Sequence, residues 1–126
     1  KLEIYKKISL ISNIDDYYDV QEEIEDRFGN IPSSVQALLD IVLIKAEAHE
    51  NDILSINQKG KNIILTFKSD ANINPVAITE LIKENKNKYM FTSAVEPYLT
   101  VKLTESDLKD IIGFIKRLLQ DIKSFE

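Results

Sequence analysis

The sequence predicts an α+β fold: N-terminal helices, then two short strand pairs forming a small mixed or antiparallel sheet, interleaved with two further helices. Three observations carry this. Apolar residues recur at helical spacing from Leu2 to Ala48. After Asn51 the apolar period falls to two, around Gly60 and again around Pro97. Helical spacing returns after Asn74-Pro75 and after Thr104.

Residues 1–12 set Ile4, Ile8 and Ile11 on one stripe, with Leu2 and Tyr5 beside it and Lys6 and Lys7 facing out. Asn13 breaks this helix and is placed to cap the next, whose first turn holds Asp15 and Asp16, where negative charge is favoured. That second helix, Asp15 to Phe28, has Tyr17, Val20, Ile24 and Phe28 as its core stripe. Gly29 follows, where a left-handed residue stops a helix without a Cβ penalty, and Pro32 stands where the next helix begins. From Pro32 to Glu50, Val35, Leu38, Leu39, Val42 and Ala46 form one stripe, and Ala37, Ile41, Ile44 and Ala48 a second. Only Gln36, Asp40 and Glu47 leave a polar strip, so this helix is expected to be central and packed from several sides.

Ile53–Asn57 and Lys61–Lys68 read as a hairpin about Gly60, with Ile63, Leu65 and Phe67 on one face. Asn74 caps a short helix that turns Ile78, Leu81 and Ile82 inward. Lys88–Val95 and Tyr98–Leu103 read as a second strand pair about Glu96-Pro97. Thr104-Glu105-Ser106-Asp107 starts the last helix as a capping box with Asp in the place of Glu. Its stripe is Leu108, Ile111, Ile112, Ile115, Leu119 and Ile122. Gly113 sits inside that helix at a cost of roughly 1 kcal/mol relative to Ala, which close packing against a neighbour would explain.

A chain of 126 residues is expected to form a single domain, residues 1–126, and to bury roughly two-thirds of its unfolded surface. Hydrophobic content of 44% and charged content of 29% are those of a soluble globular protein. The absence of cysteine excludes disulfides and thiolate metal sites and fits a reducing, cytoplasmic location. No apolar run reaches the ~18 residues needed to span a membrane, and no signal-peptide pattern is present. The chain opens at Lys1, already inside a helical pattern, and reads as a fragment of a longer protein.

Charge is concentrated. In the second helix Asp15, Asp16, Asp19, Glu22, Glu23, Glu25 and Asp26 face one cation, Arg27, a local net charge of −6 in a chain of −5. Glu23 and Asp26, three apart, share a helix face, and Arg27 suits the carbonyl end of the dipole. Such a face is a solvated surface, a divalent-ion site or a docking surface for a basic partner. A D-x-D-x-D-G ligand loop is missing, and nothing in the pattern marks the buried cleft that carboxylate catalysis needs.

Catalytic chemistry has few candidates. His49 is the only histidine, and the three glycines form no phosphate-cradling loop. Ser33-Ser34 read as a helix start. No catalytic residue, metal ligand or cofactor site is therefore expected. The lysines and arginines are dispersed; the densest group, Lys83, Lys86 and Lys88, reads as a polar helix end, so direct nucleic-acid binding is not expected. A nucleic-acid-contacting accessory domain of a helicase-like protein is the alternative reading. A small carboxylate hydrolase would require a pocket with raised carboxyl pKa values.

Glu23-Ile24-Glu25-Asp26-Arg27-Phe28-Gly29-Asn30-Ile31-Pro32 resembles the E-x-x-D-R-F-G-x-x-P signature of the C-terminal domain of bacterial transcription-repair coupling factors. Lys1-Leu2-Glu3-Ile4-Tyr5-Lys6-Lys7-Ile8 is similar to that family's basic-Leu-x-x-Tyr-x-x-Ile helix just upstream, and the later elements follow the family's order. Asn30-Ile31 replaces a commoner apolar pair. The resemblance implies a non-enzymatic regulatory module of a multidomain DNA translocase, acting in transcription-coupled excision repair. It implies docking on the N-terminal excinuclease-B-like module of the same polypeptide, masking the surface that binds excinuclease A until RNA polymerase and DNA are engaged. The implied docking acids are Glu23 and Asp26, with Glu22 and Arg27 beside them and Phe28, Gly29 and Pro32 forming the structural corner. A monomer without a membrane partner is expected.

Overall fold

The computed structural model describes residues 2–124, with side chains from Glu3 to Lys123. Lys1, the first residue of the opening motif, and the side chain of Leu2, expected beside the first stripe, lie outside the described residues. The chain divides into two compact units, residues 1–47 and 48–126.

The first unit holds α1 (Leu2–Ser9), α2 (Ile14–Phe28) and most of α3 (Ser33–Glu50). Its core is one cluster of Ile4, Ile8, Tyr17, Ile24, Val35, Leu39 and Leu43, with Ile11, Val20, Ile31, Leu38 and Val42 packed on it. All but Leu43 and Ile31, which no expected stripe included, are stripe residues, so the helical spacing locates most of the buried faces. α1 is a turn shorter than expected, because Leu10 and Ile11 close it with turn hydrogen bonds to Lys7 and Ile8. Asn13 caps α2, its side-chain oxygen accepting from Asp16 N–H at 2.8 Å.

Two expectations for these helices are corrected. Phe28 is not in the core stripe; it is 50% exposed. It closes the final turn of α2, beyond the point where the helix meets the cluster. α3 is not packed all round either. Ile41 is 41% exposed and Ala37 is open, while Glu47, expected on the polar strip, is buried.

Gly29 ends α2 with φ 72° and ψ −115°, its N–H donating to the Glu25 carbonyl at 2.8 Å. A Cβ placed there would meet nothing within 4 Å. The demand for glycine is therefore conformational. Gly29→Ala is expected to lower stability by about 1–3 kcal/mol, the usual strain of a side chain in that region. A urea titration checks this, and a loss of a few tenths would mean that the corner relaxes freely. Pro32 supplies its carbonyl to Gln36 N–H at 2.9 Å, one position ahead of the α3 start.

The second unit contains β1 (Ile53–Lys59), β2 (Asn62–Phe67), α4 (Pro75–Glu84), β3 (Tyr89–Thr92), β4 (Tyr98–Lys102), α5 (Glu105–Lys109) and α6 (Ile111–Ser124). The two hairpins merge into one antiparallel sheet of order β1-β2-β4-β3. β2 and β3 consequently run parallel with β4 between them, and α4 makes the crossover. Ile63, Leu65, Phe67, Tyr89, Leu99 and Val101 are buried on one face, as the period of two requires. α4 packs against β3. Phe67, Ala77, Ile78 and Ile122 line a common small cavity, which sets α4 and α6 on the buried side of the sheet.

The expected single last helix is two helices. Thr104 starts α5 with the capping box: its hydroxyl accepts from Asp107 N–H at 3.1 Å and the Asp107 carboxylate accepts from Thr104 N–H at 3.0 Å. Asp110 then leaves helical geometry (φ −144°, ψ 67°) and accepts from Gly113 N–H at 3.1 Å, so it restarts the helix as a new cap. This also accounts for Gly113, since a Cβ there would overlap the Asp110 carboxylate. The neighbour is a capping side chain, not a packed helix.

Candidate docking face on the acidic helix

α1 and α2 are clipped together by charge. Lys7 Nζ donates to Glu23 Oε1, and Arg27 reaches Glu3 at 3.6 Å. Each pair is four residues from the other on its own helix, and the numbers run in opposite senses, so the helices lie antiparallel. The Glu23 carboxyl is held below its ordinary value, chiefly by the hydrogen bond from Lys7. Partial desolvation opposes this, and the charges of Lys7 and Arg27 assist it. Glu23 is thus an ionised carboxylate already sharing one oxygen with its own domain.

Asp16 is occupied as well. Its Oδ2 accepts from the Ser12 hydroxyl at 2.9 Å and from Ser12 N–H at 3.2 Å. The remaining acids divide by spacing. Asp15, Asp19, Glu22 and Asp26 stand at i, i+4, i+7 and i+11, a single stripe along the helix. All four are exposed, and none has an ion pair among the described residues. Glu25 is exposed beside the stripe. Such a row presents carboxylate oxygens at one-turn intervals, suited to arginine forks or lysines on an opposing surface.

The other residues singled out in the sequence fall around this row. Arg27 is exposed, and its guanidinium lies over the Phe28 ring at 5.6 Å from the centroid. Gly29 and Pro32 make the corner between α2 and α3. Lys7 and Glu3 are the participants that sequence reasoning missed. Their four-residue spacing matches that of Glu23 and Arg27, a signal legible only once α1 is known to fold back on α2. No group of three or more His, Cys, Asp or Glu among the described residues is arranged to hold a metal ion.

Residues 1–78 match the family model described as the TRCF domain. A transcription-repair-coupling factor of Staphylococcus epidermidis is 34% identical over 126 aligned residues, which take in 96% of this chain. The chain belongs to the TRCF domain family. A Staphylococcus aureus member is 43% identical over 75 residues, 58% of this chain. This TRCF chain spans about a tenth of the length of the curated relative from S. epidermidis. A crystal structure of the C-terminal domain of a transcription-repair coupling factor superposes with a TM-score of 0.66 at 26% identity, covering all of this chain and 83% of that one. The acidic helix with its glycine corner lies wholly inside the TRCF match. No helix among the described residues is long and apolar enough to cross a membrane.

Proposed function

We propose that this TRCF domain is a non-catalytic, autoinhibitory module of a larger DNA translocase in transcription-coupled DNA repair. Its α2 stripe docks on the excinuclease-B-like N-terminal module of the same polypeptide and masks the surface that takes excinuclease A. RNA polymerase and DNA act upstream of this contact, by releasing it. The domain works as a monomer in the cytoplasm, without a cofactor, a membrane or direct nucleic-acid contact. The supporting observation is the row Asp15–Asp19–Glu22–Asp26, exposed along a helix whose inner face is fixed by the core.

In this reading Glu22 and Asp26 lead the contact. Asp26 and Glu22 offer both oxygens, whereas Glu23 offers what Lys7 leaves. The test is a titration of the chain against the N-terminal module of its parent protein. Glu22→Arg/Asp26→Arg is expected to weaken binding by at least about tenfold, two charge-assisted contacts being lost and replaced by repulsion. Thermal stability should stay unchanged, because neither residue has an ion pair among the described residues, and excinuclease A should compete with the native chain. Equal binding by both forms would remove α2 from the interface. Glu23→Gln is expected to weaken binding less and to loosen α1 as well.

A further inference from the structure

The lysines that look dispersed in the sequence are gathered by the sheet. In the register, Lys102 lies beside Asn62, and its N–H donates to the Lys88 carbonyl at 2.8 Å. Thr100 lies beside Met90 on the same face, one pleat along. This is the face opposite the buried Leu65, Leu99 and Val101. The end of α4 and the turn after it bring Ile82, Lys83 and Lys86 to the same place, and together these residues line one open groove in the second unit.

Charge in and around the groove is unbalanced in a defined way. Lys88 is neutralised by Asp107 at 2.5 Å, and Lys61 nearby is paired with Glu105 at 3.5 Å. Lys83, Lys86 and Lys102 are without an ion pair among the described residues. Between these cations lies an apolar floor: Ile82, and Met90 with 60% of its surface exposed. A methionine is an adaptable contact for aliphatic side chains. A cationic rim about an apolar floor selects its occupant by charge and by shape.

We propose that this groove is a docking site for a short acidic polypeptide segment that carries an aliphatic side chain between its carboxylates. The carboxylates meet Lys83, Lys86 and Lys102, and the aliphatic group covers Met90. Complementarity of charge favours an anion, and the floor favours protein over nucleic acid. The groove contains no arginine, and its one aromatic residue, Tyr89, is 8% exposed, so no ring is offered for base stacking. The chain's net charge of −5 also repels a long polyanion more than a short peptide. The groove is lined by residues of the second unit alone, and its test does not depend on the docking proposed for α2.

The probe is a fluorescein-labelled peptide, Glu-Asp-Glu-Leu-Asp-Glu-Leu-Asp, titrated into the 126-residue chain and followed by anisotropy. A short single-stranded oligonucleotide is the second ligand. Saturable peptide binding is expected, weakened at least about fivefold by Lys86→Glu/Lys102→Glu, since attraction at two exposed sites becomes repulsion. Met90→Ala is expected to weaken the peptide about threefold by removing apolar contact. Lys109→Glu, an exposed lysine outside the groove, serves as the control and should change little. Melting by circular dichroism confirms that each variant is folded. The proposal fails if the peptide does not bind, if Lys109→Glu weakens it as much as the groove variants, or if the oligonucleotide binds as well with the same lysine dependence.

Discussion

Leu99→Ala is expected to destabilise the chain by about 2–5 kcal/mol, the cost of removing buried methyl groups from a site that cannot collapse. Leu99 has no exposed surface and lies on β4, the strand that joins the two hairpins. Its neighbours in the register are Leu65 on β2 and Phe91 on β3. Leu65 is also fully buried. The backbone on both sides is therefore tied by ladder hydrogen bonds and cannot move in to fill the void. Ala is also a weaker strand former than Leu at a central position. Thr100→Ala, the adjacent residue on the open face, should cost well under half as much. In urea the midpoint of Leu99→Ala falls while the slope is unchanged. A typical domain has only about 5–15 kcal/mol in total, so a sizeable unfolded fraction near body temperature is a realistic outcome. A loss below about 1 kcal/mol would mean that β4 is not held centrally.

Asp107→Ala should cost about 2–3 kcal/mol. The Asp107 carboxylate does two jobs. It accepts from Thr104 N–H at the start of α5 and from Lys88 Nζ at 2.5 Å, tying that helix to the residue that leads into β3. Both side chains of the pair are largely shielded, at 14% and 21% exposure, so screening removes little of the interaction. Lys88 also lies 5.0 Å from the centroid of the Phe114 ring, which holds its ammonium near the pair. Its aliphatic stem allows the freed ammonium to reach water in the variant, which keeps the loss at the lower end of the range for a broken shielded pair. By contrast, Glu105→Ala breaks an exposed pair with Lys61 at 71% and 83% exposure and should change stability by under about 0.5 kcal/mol.

The same carboxylate sets an acid limb. Burial of Asp107 works against its ionisation, but hydrogen bonds from Lys88 and Thr104 outweigh it and lower its pKa from 3.8. A carboxyl depressed on folding contributes stability above its unfolded value, and that contribution is lost as pH falls through the folded value. The native chain should therefore lose stability below about pH 4 more steeply than Asp107→Ala does. Parallel acid curves for the two would show that the pair does not form in solution.

How far the sequence alone determines this protein follows from the range of each interaction. Helix positions, the Asn13 and Thr104 caps, the Gly29 corner and the two hairpins are local, encoded by residues within a few positions of each other. The acidic stripe of α2 is also local, since helical spacing alone puts Asp15, Asp19, Glu22 and Asp26 in a row. Other features depend on distant residues. The placing of β4 between β2 and β3 rests on Leu99 and Val101 finding the most buried positions of the sheet, which no local pattern ranks. The withdrawal of Glu23 into a pair with Lys7, 16 residues away, needs the turn that folds α1 back on α2. Phe28 has the spacing of a core residue, but it lies beyond the end of the contact, and periodicity carries no information about where a partner stops. The break at Asp110 is decided by a side chain competing with the backbone for Gly113 N–H, a choice that apolar spacing on both sides conceals. Lysines as far apart in sequence as Lys83 and Lys102 meet only because strand pairing brings them to one end of the sheet. Sequence thus settles the type of most segments and the face each presents; tertiary structure decides which charges are paired internally and which stay exposed.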